Sequence, residues 1–213
     1  MEKNINTGFT SIHLEAAHTI IIKRGISFKC SAEFSINDGR LYASSGHGNI
    51  TLIIPNFPLE EIVLQSNYGS IKCEEIATNS IQIYAPHDIK IKKSNLKICK
   101  IISQYGALNI IKSTISNLQV QSAHDIKLSL FDFTYLHLQS EYGIIRLKYF
   151  NTTLVNVNAK SEYGSVKVNG NFYGDDNCKK TIVAHAAHDI KLENVIGKNS
   201  NEPTSEVYDN EQN

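Results

Sequence analysis

One short phrase is written eight times along the chain, and a repeat of near-constant period constrains the fold more than any other feature. It reads Ser45-Gly46-His47-Gly48-Asn49-Ile50, Ser66-Asn67-Tyr68-Gly69-Ser70-Ile71, Ala85-Pro86-His87-Asp88-Ile89 and Ser103-Gln104-Tyr105-Gly106-Ala107-Leu108. It continues as Ser122-Ala123-His124-Asp125-Ile126, Ser140-Glu141-Tyr142-Gly143-Ile144-Ile145, Ser161-Glu162-Tyr163-Gly164-Ser165-Val166 and Ala186-Ala187-His188-Asp189-Ile190. The apolar residue closing each phrase advances by 18 to 24 positions. In the middle of the chain, coils with Tyr-Gly are one residue longer than coils with His-Asp, which makes a coil pair a candidate unit.

Around each phrase, apolar and polar residues alternate, the period of a strand with one buried face. Ile62, Leu64 and Ser66 face one way, as do Ile81, Ile83 and Ala85, then Leu118, Val120 and Ser122, while Gln65, Gln121 and Gln139 face water. A single coil cannot bury its apolar face alone, but stacked coils share one core. The chain is therefore predicted to be all-β, a single-stranded right-handed β-helix-like solenoid with coils of about 18–21 residues. Eight rungs at about 4.8 Å make a rod of roughly 35 to 40 Å. A second turn in each coil carries Asn79, Asn95 or Asn117, residue types that tolerate left-handed geometry.

The regions follow from this. Residues 1–44 are predicted as an N-terminal β cap with a hairpin at Asn37-Asp38-Gly39, residues 45–196 as the repeats, and 197–213 as a disordered polar tail. Asn169 to Asn177 reads as a protruding loop, and the last coil at Ile190, Leu192 and Val195 as an unpaired edge.

Length and charge narrow the function. The 213 residues suffice for one core, and 21 basic against 21 acidic residues give no net field to draw in nucleic acid or an anionic membrane. No apolar run reaches the roughly 20 residues of a membrane helix. The start, Met1 to Gly8, has no apolar signal region, which points to the cytoplasm. Cys30, Cys73, Cys99 and Cys178 form no CxxC pair, and Cys73 and Cys99 fall on apolar columns, so they are expected as free thiols.

The repeated turns, the entry Phe9 to Leu14 and the segment Thr51 to Ile62 with its Ile54-Pro55 step resemble the bacterial putative-adhesin family of β-strand repeats, kin of the head domain of auto-transporter adhesins. The resemblance covers residues 9–195 and implies a right-handed β-helix-like solenoid with no known catalytic residues and a surface association; no cofactor or metal is expected.

Two columns are candidate sites. Tyr68, His87, Tyr105, His124, Tyr142, Tyr163 and His188 form a turn ladder. The His-Asp pairs suggest metal or acid–base chemistry, but His87 and His124 lie two rungs apart, too far to share a zinc ion without large side-chain convergence. The structural alternative is rings stacking between rungs. Lys72, Lys90, Lys127, Arg146, Lys167 and Lys191 form a basic ladder, either offset by nearby Asp88, Asp125 and Asp189 or free to bind an anionic polymer. Asp175 and Asp176 are loop carboxylates that either hold calcium or face water.

Three function classes follow. The first is a non-catalytic binding or structural protein offering a ladder to a repetitive glycan or a protein. The second is a cytoplasmic scaffold, a homo-oligomer joined through its solenoid ends. The third is a polysaccharide-active enzyme, for which the outward positions hold few carboxylates.

Overall fold

The structure, a computed structural model, describes residues 8–170, 172–173 and 178–195. Asp175, Asp176 and the tail at 197–213 lie outside the described residues. Every regular element among those described is a strand, and the twenty strands form one hydrogen-bonded sheet of mixed orientation. The fold is solenoid-like. Strands leading into the repeated turns pair in parallel as one column, and strands leading out pair in parallel as a second. Antiparallel pairing occurs at Lys29–Cys30 and Phe34–Asn37.

The alternation sets which face is buried. In Leu59–Ser66, Ile62, Leu64 and Ser66 are buried, and in Ile89–Lys92, Ile89 and Ile91 are. Stacked, these residues make one continuous core, with Ile20, Ile50, Ile71, Ile89, Leu108, Ile126, Ile145 and Ile190 fully covered. The removal of this apolar surface from water is what a single coil cannot achieve and the stack can.

Among the described residues the pairings define nine levels. In spatial order the incoming and outgoing strands are Arg40–Ser45 with Ile50–Ile54 (level 1), Ser11–Ala16 with Ile20–Arg24 (level 2), Leu59–Ser66 with Ile71–Glu74 (level 3), and Ala77–Ala85 with Ile89–Lys92 (level 4). Level 5 is Asn95–Ser103 with residues 108–111, and level 6 is residues 113–122 with Ile126–Asp132. Level 7 is Tyr135–Ser140 with Ile145–Tyr149, level 8 is Thr181–Ala186 with Ile190–Asn194, and level 9 is Val155–Ser161 with Val166–Asn169.

Spatial order therefore departs from chain order at both ends. The first coil, residues 11–24, inserts between the second and third, and the last, residues 181–194, inserts between the two that precede it. Residues 11–24 are thus a level of the stack rather than cap, and Ala16-Ala17-His18-Thr19-Ile20 is a ninth copy of the turn. Among the described residues, Lys29–Cys30 and Phe34–Asn37 pair with the strands at this end, the latter through a tight turn with Asp38 and Gly39 at positive φ.

The edge expected at Ile190 and Leu192 is also corrected. Their strand is paired on both sides, by Ile145–Tyr149 and by Val166–Asn169. The outermost level at this end is level 9, whose Val166 and Val168 are about two-fifths exposed. Phe172–Tyr173 adds a short parallel pairing to Val155 and Asn156.

The second corner is made differently from the expectation. The residues with left-handed backbone are Glu75, Lys93 and Lys112, at φ of 57°, 47° and 47°. Asn79, Asn95 and Asn117 lie in strands. Buried Ser94 and Ser113 tie successive corners: Ser94 Oγ accepts from Ile76 N at 3.2 Å, and Ser113 Oγ from Ser94 N at 3.1 Å.

Candidate functional site

The repeated turn comes in two lengths, and in space they alternate without exception. Levels 1, 3, 5, 7 and 9 carry the long form, with Gly48, Gly69, Gly106, Gly143 and Gly164. Levels 2, 4, 6 and 8 carry the short form, centred on His18, His87, His124 and His188. A methyl group on Gly69, Gly106, Gly143 or Gly164 would overlap backbone atoms of the short turn before it. Glycine is needed there because another backbone passes where a side chain would stand.

Polar groups then lock each short turn to its long neighbour. Ser66 Oγ donates to the His18 carbonyl at 2.6 Å, Ser140 Oγ to that of His124 at 2.9 Å, and Ser161 Oγ to that of His188 at 2.8 Å. Ser103 Oγ reaches the His87 carbonyl at 3.1 Å. Asp88 Oδ1 accepts from Ala107 N at 2.9 Å, Asp125 Oδ1 from Ile144 N at 3.1 Å and Asp189 Oδ1 from Ser165 N at 2.8 Å. The Ser165 backbone and hydroxyl hold the Asp189 carboxyl below the usual carboxylate value. A carboxylate that accepts such bonds is favoured in its charged form. In level 2, where Thr19 stands in place of Asp, Asn49 Oδ1 accepts from Thr19 N instead, at 2.8 Å.

The recurrent His-Asp pairs thus serve the stack through the histidine carbonyl and the aspartate carboxylate. The imidazoles of His18, His87, His124 and His188 are exposed. Tyr68, Tyr105, Tyr142 and Tyr163 project further, with 71%, 68%, 68% and 81% of their surface exposed. Ring contact within this ladder, among the described residues, is confined to His18 and Tyr68, with centroids 6.4 Å apart.

The basic column runs beside the ladder on the outgoing strands. Lys72 lies beside Lys90, Lys90 beside Asn109, and Asn109 beside Lys127. From there Lys127, Arg146, Lys191 and Lys167 occupy four consecutive levels. Lys127 pairs with Asp125 at 3.4 Å and Lys191 with Glu193 at 2.7 Å. Arg146 and Lys167 have no carboxylate within ion-pair distance among the described residues.

The remaining reactive groups sit apart. All four cysteines are free. Burial pushes the Cys73 thiol up to about 12 and drives that of Cys99 upward as well. Lys180, absent from the sequence reading, lies against the Phe133 and Tyr149 rings at 5.7 and 5.5 Å and bonds Asp132. Nothing in its local sequence marks it, because its partners come from two other levels.

A stack of parallel coils with outward columns of like residues defines an all-β, solenoid-like repeat protein. A family model matches residues 11–198, and the chain belongs to that family, Toastrack DUF4097. The match carries the β-strand-repeat family but not the relation to auto-transporter heads. Among solved structures, a "putative cell adhesion protein" from Clostridium sporogenes is 11% identical, over 92% of this chain and 97% of that one, with a TM-score of 0.31, too low to carry an argument. No curated protein matches the chain.

Proposed function

We propose that this chain is a non-catalytic, adhesin-like binding protein, a right-handed solenoid presenting a ladder surface to a repetitive envelope polymer or a protein partner. The observation that carries the reading is the run Lys127, Arg146, Lys191 and Lys167 on hydrogen-bonded neighbouring strands. Like charges in register destabilise a sheet. Lys127 and Lys191 are in ion pairs and Lys167 lies near enough to Asp189 to help lower its carboxyl, whereas Arg146 has no carboxylate within ion-pair distance among the described residues. A fold that keeps cations aligned against that repulsion is suited to an anionic, linear partner.

The non-catalytic part rests on how the reactive groups are used. Asp88, Asp125 and Asp189 accept backbone bonds from the next level, and burial suppresses the thiolates of Cys73 and Cys99. An end-to-end scaffold has less support. Both terminal levels carry long turns, so head-to-tail stacking would set long turn on long turn, and Lys29–Asn37 already pairs with level 1.

The test is location followed by binding. Native cells are fractionated and intact cells shaved with protease, and the purified chain is sedimented with envelope fragments. Envelope-associated protein is expected, with binding that weakens with salt and falls in the Arg146→Gln, Lys167→Gln double variant while folding is unchanged. Protein confined to the cytosol, with no envelope binding, would overturn the proposal.

A further inference from the structure

The tyrosine rings on the long turns are the feature the fold leaves unused. At each of these positions the stack uses the backbone: Tyr68 N donates to Ala17 O, Tyr105 N to Pro86 O, Tyr142 N to Ala123 O and Tyr163 N to Ala187 O, at 2.7 to 2.8 Å. None of the four phenol oxygens bonds a described residue, and the rings stay at least two-thirds exposed. Any side chain that clears the corner would satisfy the same backbone bonds. A large aromatic ring held in water at four equivalent places calls for another explanation.

Geometry supplies one. Alternation places Tyr68, Tyr105, Tyr142 and Tyr163 on every second level, so the rings recur at about 9.5 Å, twice the strand spacing. Between them the short turns offer small side chains, Pro86, Ala123 and Ala187, all buried, with Ala17 before the first ring. A depression of about 300 Å³ lies over one of these floors, lined by Tyr142, Ala186, Ala187 and the polar groups of Gln139, Lys160 and His185. Another adjoins Tyr68, with Gln65, Asn67 and Tyr84. Along the ridge runs a column that carries hydrogen-bonding side chains at Gln65, Tyr84, Gln121, Gln139 and His185 and is interrupted by Ile102 at the level of Tyr105.

We propose that the ridge of Tyr68, Tyr105, Tyr142 and Tyr163 binds an extended polysaccharide with a two-sugar repeat, one ring under each disaccharide. In an extended β-linked glycan every second sugar turns the same face to the same side, at close to the interval between these rings. The apolar C–H face of a sugar packs on an aromatic ring, while its hydroxyls meet amides such as Gln65 and Gln139. A folded protein surface other than a second stacked β-repeat has no reason to recur at this interval. The proposal rests on the binding reading above and names its ligand class, and it uses the ridge rather than the basic column.

The probes are chitin oligosaccharides from the disaccharide to the octasaccharide, titrated into the full chain, with insoluble chitin and peptidoglycan sacculi for co-sedimentation and dextran as the control lacking this repeat. Affinity should climb with length and level off near about eight sugars, where four rings are covered. Tyr105→Ser with Tyr142→Ser should cost roughly tenfold in affinity, while the matching Tyr→Phe pair stays within about twofold. Unfolding midpoints of both pairs should match the parent, since the rings are exposed.

No binding to any of these glycans, or binding indifferent to Tyr→Ser, overturns the ridge. If envelope binding persists in the Tyr→Ser pair and is lost in Arg146→Gln, Lys167→Gln, the ridge inference fails while the broader reading stands. Loss of both kinds of binding in the parent chain removes both.

Discussion

Gly106 lies flat against the peptide that joins His87 to Asp88 on the level before it, leaving no room for a β-carbon. The same relationship joins Gly143 to His124 and Gly69 to His18, so one contact explains why long and short turns must alternate. Gly106→Ala is expected to lower stability by about 1–3 kcal/mol, because the atoms in the way are backbone and cannot rotate aside. Gly46, where a β-carbon would meet no atom within 4 Å, should tolerate alanine to within about 0.5 kcal/mol. Urea unfolding of the two variants compares them directly, and equal losses would sink the steric account.

The second corner offers the opposite change. Lys112 holds a left-handed backbone at φ 47°, a conformation that burdens any side chain. Lys112→Gly should raise stability by roughly 0.5 kcal/mol, the relief of strain exceeding glycine's added chain entropy. A lower melting temperature for this variant would show that the strain is compensated by side-chain contacts.

Asp189 couples levels 8 and 9 to pH. Its folded carboxyl lies below the ordinary value of 3.8, held there by the Ser165 amide and hydroxyl. A depressed carboxylate contributes stability that is present above the unfolded pKa and is lost as pH falls through the folded one. Loosening of Ser165 to Asn169 is therefore expected below about pH 4, and Asp189→Asn should flatten that dependence. Amide hydrogen exchange across acid pH reads both.

Burial determines thiol reactivity. With the Cys73 pKa pushed up to about 12 and Cys99 raised by the same cause, neither should react with a maleimide at neutral pH in the folded chain. Half-buried Cys30 and Cys178 should react first, and all four after unfolding. Mass spectrometry of labelled peptides counts the sites, and fast labelling of Cys73 would mean that the core opens.

Lys180 secures the return from level 9 into level 8. Its side chain, 12% exposed, packs on two aromatic rings and bonds Asp132. Partial burial works to lower its pKa, but Asp132 and the Tyr149 hydroxyl outweigh that and leave it raised. Lys180→Met should cost about 1 kcal/mol and speed hydrogen exchange in Thr181–Ala186. Unchanged exchange there would confine the cluster's role to packing.

Much of this was legible along the chain. The strands around Ile62, Ile81, Leu118 and Leu136 follow from alternation, as does the buried column from Ile50 to Ile190. The register of Lys72 with Lys90 follows from the same spacing, whereas the order of Lys167 and Lys191 is reversed in the stack. The copy at Ala16-Ala17-His18-Thr19 was hidden because Thr19 replaces the aspartate. The lengthened steps around Pro55 to Pro58 and Phe150 to Leu154 did mark where the chain passes over a level, but a spacing cannot say which strand fills the gap.

The sequence by itself determined what each coil is, since the burial of alternate residues and the glycine and aspartate of each turn are written locally. Tertiary structure alone decided the order in which coils stack, because nearly identical apolar faces pair equally well with any neighbour. What selects among them is the fit of a histidine peptide against a glycine, a contact between residues that are up to 51 positions apart in the chain at His18 and Gly69.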